Sequence, residues 1–477
     1  MDPVFAFELR LPAPGSRQLL RTLHAQLRAA ILEGRLQPGQ RLPSSRAVAR
    51  SLGISRNTAV AVYDLLLSEG YLRARRASGI QVVEGLPAAR APALSAALGR
   101  RHLTARARAA VPAESASSGL FRLGVPELQH LPFDIWRRLG ARCLRQFARE
   151  PVHYAGADGC PALREAIAHH VAFARAVACR AEDIVVTSGA QQAFDLLARV
   201  LVTPGKTRVA VEEPGYPPLR AAFAAAGAEL VPVRVDAEGL QVERLPKGVR
   251  LVCVTPSHQF PLGCAMSPQR RKDLLAWARQ QDALIVEDDY DGEFRYGERP
   301  LEALQTLDGG ERVFYVGTFS KSLFPALRLG YVASPAWARA ALVAARHDCD
   351  SHANVLAQDT LAAFIAEGHL ARHVRRMQPV YAQRRNALLQ GLQREFGGLL
   401  QVLPAQAGLH LSAQLEKGTV PPAWLARTAP NAAGVATLHR FQLARAGRAG
   451  LVFGFGVADV ARIGPALAQL RRLWQLG

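Results

Sequence analysis

The chain has 477 residues, 49% of them hydrophobic, enough for two or three domains with sizeable cores. Its formal charge of +20 suggests a polyanionic partner, although an Arg-rich, base-biased composition produces the same excess. No apolar run reaches the roughly 18 residues of a membrane span, and the N-terminal MDPVFAFELRLP lacks the basic-then-apolar layout of a secretory signal. A cytoplasmic chain with no membrane partner is expected. Six scattered cysteines (Cys143, Cys160, Cys179, Cys253, Cys264, Cys349) show no CxxC spacing, so reduced thiols and no metal site are expected.

Residues 14–84 form a punctuated unit. From Leu19 to Leu32, apolar residues recur at Leu20, Leu23, Leu27, Ala30 and Ile31, a helical stripe closed by Gly34. Pro38-Gly39 reads as a turn. Pro43-Ser44-Ser45 offers an N-cap for a short helix over 46–52, which Gly53 breaks. Ser55 caps a third helix, Arg56 to Ser68, with Val60, Tyr63 and Leu67 on one face and Gly70 at its end. Residues 71–75 and 80–83 read as two strands around Ala77-Ser78-Gly79.

Helix, helix, glycine turn, helix, hairpin is the plan of a winged helix-turn-helix. The second helix of such a turn enters the major groove with its N-terminal side chains on base edges. Here those are Ser55, Arg56, Asn57 and Thr58. Arg suits guanine, Asn suits adenine, and hydroxyls suit bases or phosphates. Arg46 opens the preceding helix and is placed to hold a phosphate. Arg73, Arg75 and Arg76 flank the wing, whose tip carries Gly79. The competing reading is a three-helix protein-interaction module. The stretch LHAQLRAAILEGRLQPGQRLPSSRAVARSLGISRNTAVAVYDLLLSEGYLRARRASGIQV resembles the GntR family of bacterial regulators, with Ala59 and Ile80 where that family usually shows Val and Thr. The resemblance implies binding to a double-stranded DNA operator.

Residues 85–120 change character. Ala, Pro, Arg and Ser dominate, no apolar stripe persists, and Arg90, Arg100, Arg101, Arg106 and Arg108 face one acid, Glu114. This reads as a flexible basic tether.

From residue 121 to 477, short β-rich runs alternate with helical segments. Residues 183–187, 208–211, 229–233, 251–254, 284–287, 313–316 and 329–332 read as buried strands of an α/β body with a mostly parallel sheet flanked by helices. Sites in such folds gather at the carboxyl ends of the strands, and the informative residues fall there. Only five of the 59 basic residues are lysine, so Lys321, among hydroxyls after a strand, suggests an amine that must lose its proton, as a Schiff base to a carbonyl cofactor requires. Glu287-Asp288-Asp289-Tyr290 ends another strand, and three acids there need a partner if buried. Asp288 could keep a pyridine nitrogen protonated, and Tyr290, on the same strand alternation, could bond a ring hydroxyl. Tyr216 could stack on the ring. Gly189, Ala190 and Gln191 at a helix start, with Thr318, Ser320 and Arg328, could hold a phosphate. Together these residues meet the demands of pyridoxal 5'-phosphate.

The body resembles the class I aminotransferases of fold-type I over about 350 residues. YAGADGCPALREAIAHHV (154–171) is similar to a family segment whose tyrosine contacts the neighbouring subunit's cofactor phosphate, which implicates Tyr154. TPSHQFPLG (255–263), EDDYDGEFRY (287–296) and GTFSKSLFPALRLGY (317–331) resemble the MocR/GabR-type subfamily of GntR regulators. The resemblance implies a head-to-tail homodimer whose body senses an amine, an amino acid or pyridoxal phosphate itself. Two departures bear on turnover. Phe260, with Gln259 beside it, stands in the slot of the asparagine that bonds the cofactor's ring oxygen. The arginine that clamps a substrate carboxylate has no counterpart in register, Arg448 lying near but displaced. Pro218 occupies the place of an arginine found in sensors of γ-aminobutyrate, which disfavours that effector. A regulator without physiological turnover is the expectation. A metabolic aminotransferase with an appended head, and a plain repressor with a vestigial body, remain alternatives.

Overall fold

The structure is a computed structural model that describes residues 4–12, 16, 18–75, 79–84, 119–149, 153–296, 302–421, 424, 434–444, 447 and 449–475. The tether, apart from residues 119 and 120, lies outside the described residues, as do Arg76, Ala77, Ser78 and Arg448. Two compact units emerge, Met1–Ala113 and Glu114–Gly477.

The first unit carries α1 (Leu19–Leu32), α2 (Ser45–Leu52), α3 (Arg56–Ser68) and an antiparallel hairpin of β1 (Leu72–Arg75) and β2 (Gly79–Val82). Both short helices start on a serine. Ser44 accepts the Ala47 N–H at 3.2 Å and Ser55 accepts the Thr58 N–H at 3.0 Å, satisfying amides that the first turn leaves open. Gly53, in left-handed conformation, ends α2 and turns the chain into α3. The core joins Leu23, Leu27, Val48, Ala59, Val62, Tyr63, Leu66, Leu72 and Val82, and Phe5 is also buried in it. The buried face of α3 differs from the expected one. Ala59, Val62, Tyr63 and Leu66 face inward, while Val60 is 37% exposed. The helix packs against both α1 and α2, so its apolar face is turned by about one residue from a stripe drawn for a single partner.

The second unit is built on an eight-stranded sheet. In chain order its strands are β3 (Ile184–Thr187), β4 (Arg208–Glu213), β5 (Glu229–Asp236), β6 (Gly239–Leu240), β7 (Val249–Val254), β8 (Leu284–Asp289), β9 (Val313–Thr318) and β10 (Gly330–Ala333). Their spatial order is β3-β10-β9-β8-β7-β4-β5-β6. The central pairs from β9 through β5 are parallel, whereas β10 runs antiparallel to both β3 and β9, and β6 antiparallel to β5. Alternate side chains serve two cores, as a sheet covered by helices on both faces requires. Val185, Phe314 and Val316 pack with Phe194 and Phe223 in one, while Ile184, Val186 and Tyr315 pack with Leu163, Ile167 and Phe364 in the other.

A second, smaller sheet was not separable in the sequence. It orders β11 (Leu400–Val402), β12 (His410–Leu415), β14 (Gly450–Gly454) and β13 (Ala436–Thr437), all antiparallel. The helices His369–Phe396 and Val460–Gln475 share its core through Leu388, Leu392, Ile463 and Leu467. Among the described residues no helix is long and apolar enough to cross a membrane.

The register of the large sheet fixes where the site lies. Asp288 at the end of β8 stands opposite Val316 of β9, and Gly330, opening the reversed β10, stands opposite both Thr318 and Thr187. The segments after β3, β8 and β9 and the one before β10 therefore meet at one edge of the sheet.

Candidate cofactor site and DNA-reading face

Lys321 sits three residues beyond the end of β9, and its Nζ donates to the Gly124 carbonyl at 2.7 Å. Burial lowers the pKa of the amine. The charges of Asp291 and Asp288 oppose this, while Arg328 adds to it. A partly desolvated lysine is the form in which an amine becomes a nucleophile.

The three acids of β8 are partnered very differently. Glu287 accepts the backbone N–H groups of Leu304 and Gln305 at 3.1 and 3.0 Å. Asp289 accepts from Arg175 Nε and from the Tyr315 hydroxyl, each at 2.6 Å. Asp288 is 2% exposed, and its Oδ1 has no hydrogen-bond partner among the described residues. Burial, with the charges of Asp289, Asp291 and Glu212, holds its carboxyl well above the ordinary range, and Lys321 pulls the other way. A buried acceptor without a donor is costly. A protonated ring nitrogen supplies the missing proton and charge.

Beside it lies a cradle for an anion. Gly189, at φ +87°, precedes the helix Ala190–Leu201, whose first amides have no intrahelical partner. Arg328 donates from Nη2 to the Ser188 carbonyl at 2.8 Å. A Cβ at position 189 would come within 3.0 Å of that same nitrogen, so the glycine leaves room for the guanidinium. The Thr318 hydroxyl donates to Ser320 Oγ at 3.0 Å and accepts the Ser320 N–H at 3.2 Å. Gln191 is exposed and donates to the Pro218 carbonyl at 3.1 Å, so its side chain supports the next helix start more directly than the cradle.

Aromatic groups complete the surroundings. Tyr216 caps the helix Pro217–Ala225, with its ring edge-on to Phe260 at 5.3 Å and to Phe194 at 6.4 Å. Phe260 also meets Phe441 at 5.1 Å, His410 at 5.3 Å and Tyr290 at 5.9 Å. Neighbouring Gln259 does not replace the missing asparagine. Its Nε2 donates to Glu212, Pro214 and Phe260 oxygens at 3.1, 2.9 and 2.7 Å, and its Oε1 accepts the Leu262 N–H at 3.0 Å. Burial pushes the Glu212 carboxyl up to about 7, against the hydrogen bonds from Thr255 and Gln259.

The Tyr290 phenol is 2.9 Å from His258 Nδ1, and the same nitrogen lies 3.0 and 3.1 Å from the two Asp291 oxygens. Sequence reasoning passed over His258, Asp291 and His410; the histidine and glutamine between Pro256 and Pro261, atypical for a turn, were the available signal. These three side chains bring ring nitrogens and a carboxylate oxygen within 4.8 Å of one another. His258 Nδ1 is held by Asp291 and His410 Nε2 lies 2.9 Å from the Pro261 carbonyl, while His258 Nε2 is buried with no hydrogen-bond partner among the described residues. Tyr154 is not folded in among these groups. It is 91% exposed, with its ring edge-on to His352 at 5.9 Å.

In the head, Arg46, Ser55, Arg56 and Asn57 are exposed, at the starts of α2 and α3. The Ser55 hydroxyl is 2.8 Å from Thr58 Oγ1, so these two hydroxyls shape the helix start while Arg56 and Asn57 project from it. Arg73 pairs with Glu84 at 3.0 Å. Gly79 faces Arg41, whose Nε would be 3.2 Å from a Cβ there. Arg41 bridges Gln81 and joins the wing, a placement that only tertiary structure reveals.

Comparisons with known proteins follow the same division. Residues 19–82 match the model for bacterial regulatory proteins of the gntR family, and residues 119–427 match aminotransferase class I and II. The chain is 39% identical over 408 residues to the probable rhizopine catabolism regulatory protein MocR of Rhizobium meliloti, covering 83% of this chain and 82% of that one. It is 33% identical over 460 residues to the pyridoxine biosynthesis transcriptional regulator PdxR of Corynebacterium glutamicum, covering 95% and 96%. Among solved structures, kynurenine aminotransferase of Pyrococcus horikoshii in complex with PMP superposes with a TM-score of 0.72 at 26% identity, covering 79% of this chain and 98% of that one. The donorless Asp288, the Gly189–Arg328 cradle and the desolvated Lys321 fit the cofactor of that fold, pyridoxal 5'-phosphate. The chain belongs to the MocR-type branch of the GntR transcriptional regulators, a winged helix-turn-helix head joined to a pyridoxal-phosphate-binding body of the class I and II aminotransferase family.

Proposed function

We propose that the body reports the state of the cofactor site at Lys321 to the DNA-binding head, with an amine, an amino acid or pyridoxal phosphate itself as the signal. The observation that carries this is the buried Asp288 carboxylate without a donor, in a chain that also bears a gntR-type head. Lys321 would hold the cofactor covalently, Asp288 would keep its ring nitrogen protonated, Tyr290 would bond its ring oxygen, and Tyr216 would flank the ring. Gly189, Ala190, Gln191, Thr318, Ser320 and Arg328 would surround its phosphate. The cofactor supplies an electron-withdrawing ring and a carbonyl that can exchange one amine for another.

Several observations favour sensing over turnover. Phe260 offers no donor, and the Gln259 amide is already bonded to the protein on both sides. A signal can shift the body between conformers only by binding one better than the other. The working organisation is a head over 14–84, a tether over 85–120 and a sensor body over 121–477, acting in the cytoplasm. A head-to-tail homodimer is part of this reading. Tyr154 at 91% exposure would reach the neighbouring subunit's phosphate site, and an apolar groove of about 650 Å³ lined by Trp136, Leu144, Phe324 and Leu327 offers a face for the second copy. On the operator, Arg56 and Asn57 would read bases, with Ser55, Thr58, Arg46, Arg73 and the Gly79 tip positioned on the backbone.

The test is operator binding by the full chain, followed by fluorescence anisotropy with and without pyridoxal phosphate and a panel of amines. Lys321→Ala should abolish the bound-cofactor absorbance and any response to amines while leaving effector-free DNA affinity within about twofold, because a substitution with no contact to DNA changes no phosphate or base contact. A Lys321→Ala protein that still responds like the parent would overturn the reading. So would sustained transamination of ordinary amino acids by the parent with no effect on DNA binding.

A further inference from the structure

We propose that His258, held by Asp291, is a positioning residue that orients the Tyr290 hydroxyl toward the cofactor's ring oxygen. This rests on the assignment of Tyr290 to that oxygen.

With Asp291 as the acceptor, the contacts of Nδ1 favour one arrangement of protons on that side of the ring; Nε2 has no partner among the described residues. His258 Nδ1 lies 3.0 and 3.1 Å from the Asp291 oxygens and 2.9 Å from the Tyr290 oxygen. An ionised carboxylate only accepts, so Nδ1 carries a hydrogen and donates it. A nitrogen that carries a hydrogen has no lone pair in the ring plane, so the Tyr290 hydroxyl cannot donate to it. The phenolic oxygen instead stands on the accepting side of a shared N–H, and its own proton is left to point elsewhere. The ring oxygen of the cofactor is the acceptor that the Tyr290 assignment provides.

The imidazole is well fixed for such a task. His258 is 2% exposed, its ring lies nearly parallel to Tyr290 (29°, 5.8 Å between centroids), and His410 packs against it at 4.6 Å. Gly408 leaves space at the ring, since a Cβ there would collide with the imidazole. His410 is itself held at the Pro261 carbonyl, and burial pushes its pKa to about 3, so a neutral ring backs His258. The device matters more here than in a site with an asparagine, because Phe260 cannot share the ring-oxygen contact.

The experiment compares Tyr290→Phe, His258→Leu, His258→Gln and the Tyr290→Phe/His258→Leu double variant in the full chain. Readouts are the dissociation constant for pyridoxal phosphate and the position of the bound-cofactor absorbance band. Near-ultraviolet dichroism checks folding. Tyr290→Phe and His258→Leu should each weaken binding by about three- to tenfold, the range for one buried neutral hydrogen bond, and shift the band in the same direction. The double variant should match the single ones, and His258→Gln, which keeps an N–H donor, should recover most of the parent band. If His258→Leu is misfolded, the His258→Gln band decides: a band like that of Tyr290→Phe overturns the proposal. An altered Tyr290→Phe with an unaltered His258→Leu also overturns it while sparing the Tyr290 assignment. An unaltered Tyr290→Phe overturns the assignment itself.

Discussion

Asp288→Asn should move two measurements in opposite directions. The parent side chain is 2% exposed with Oδ1 unpartnered, in the company of Asp289, Asp291 and Glu212. Replacing one partner of a buried ion pair costs about 3–5 kcal/mol. At about 1.4 kcal/mol per factor of ten, the dissociation constant for pyridoxal phosphate should rise by roughly two to four orders of magnitude. Without cofactor the same change removes a buried ionisable acid, so the fold should gain stability at the higher pH, where the unfolded chain's carboxylate ionises freely and the buried one does not. The pH dependence has a defined sign. The folded-state pKa of Asp288 is raised, so the cofactor-free fold retains a proton that the unfolded chain has already released. Stability of the parent therefore falls as pH rises above the ordinary carboxylate value of about 4, and the asparagine variant escapes that loss. Urea unfolding without cofactor at pH 6 and pH 8, with absorbance titration of pyridoxal phosphate, measures both effects. Unchanged cofactor affinity, or a cofactor-free variant less stable than the parent at both pH values, would refute the role assigned to Asp288.

Two other substitutions probe the cradle and the head. Gly189→Ala forces a side chain to φ +87° and a Cβ to within 3.0 Å of the Arg328 guanidinium. Backbone strain of about 1–3 kcal/mol should lower affinity for pyridoxal phosphate more than for unphosphorylated pyridoxal, and equal losses in a titration of both would remove the phosphate assignment. Arg56→Ala should weaken specific operator binding by about 1–3 kcal/mol and relax sequence preference. Anisotropy on operator and scrambled duplexes tests this; equal weakening on both would make Arg56 a backbone contact.

The elements of this chain were legible where local chemistry set them. Ser44 and Ser55 before helices and Gly53 after one work through their own caps, so they act in the folded chain as they read in the sequence. The buried strands were found because a sheet covered on both faces demands continuous apolar runs, and their ends moved by one to three residues, most at β5, which runs on to Asp236. The reversed direction of β10 was not legible, because a run such as Gly330–Ala333 is equally apolar in either orientation. The small sheet escaped because β13 and β14 are separated by the turn at Leu438–Phe441 and pair through residues distant in sequence. Within the site, Lys321, Asp288 and Arg328 stood out as charges at strand ends. His258 did not, because its meaning lies in Asp291, thirty-three residues away, and in the Tyr290 ring beside it. The partnering of Glu287 and Asp289, which leaves Asp288 as the acid without a donor, likewise depends on Arg175 and Gln305 from other elements.

Retention and turnover place different demands on such a site, and the proposed reading separates them. Retention needs a charge for the ring nitrogen, a cradle for the phosphate and an amine, and on the proposed reading Asp288, Gly189 with Arg328, and Lys321 would supply all three. Turnover also needs a substrate held in one orientation and a second donor on the ring oxygen, to stabilise charge as it moves. The position that supplies that donor in an aminotransferase holds Phe260, which is packed edge-on to four rings. With that donor gone, control of the ring oxygen would fall to Tyr290, and through it to the proposed His258–Asp291 pair. A site simplified in this way keeps its cofactor while losing redundancy in the contacts that set its electronic state. That makes occupancy, or exchange of one amine for another, a large relative change in the site's bonding. A sensor uses that change on binding, whereas a catalyst needs contacts that strengthen from substrate to transition state.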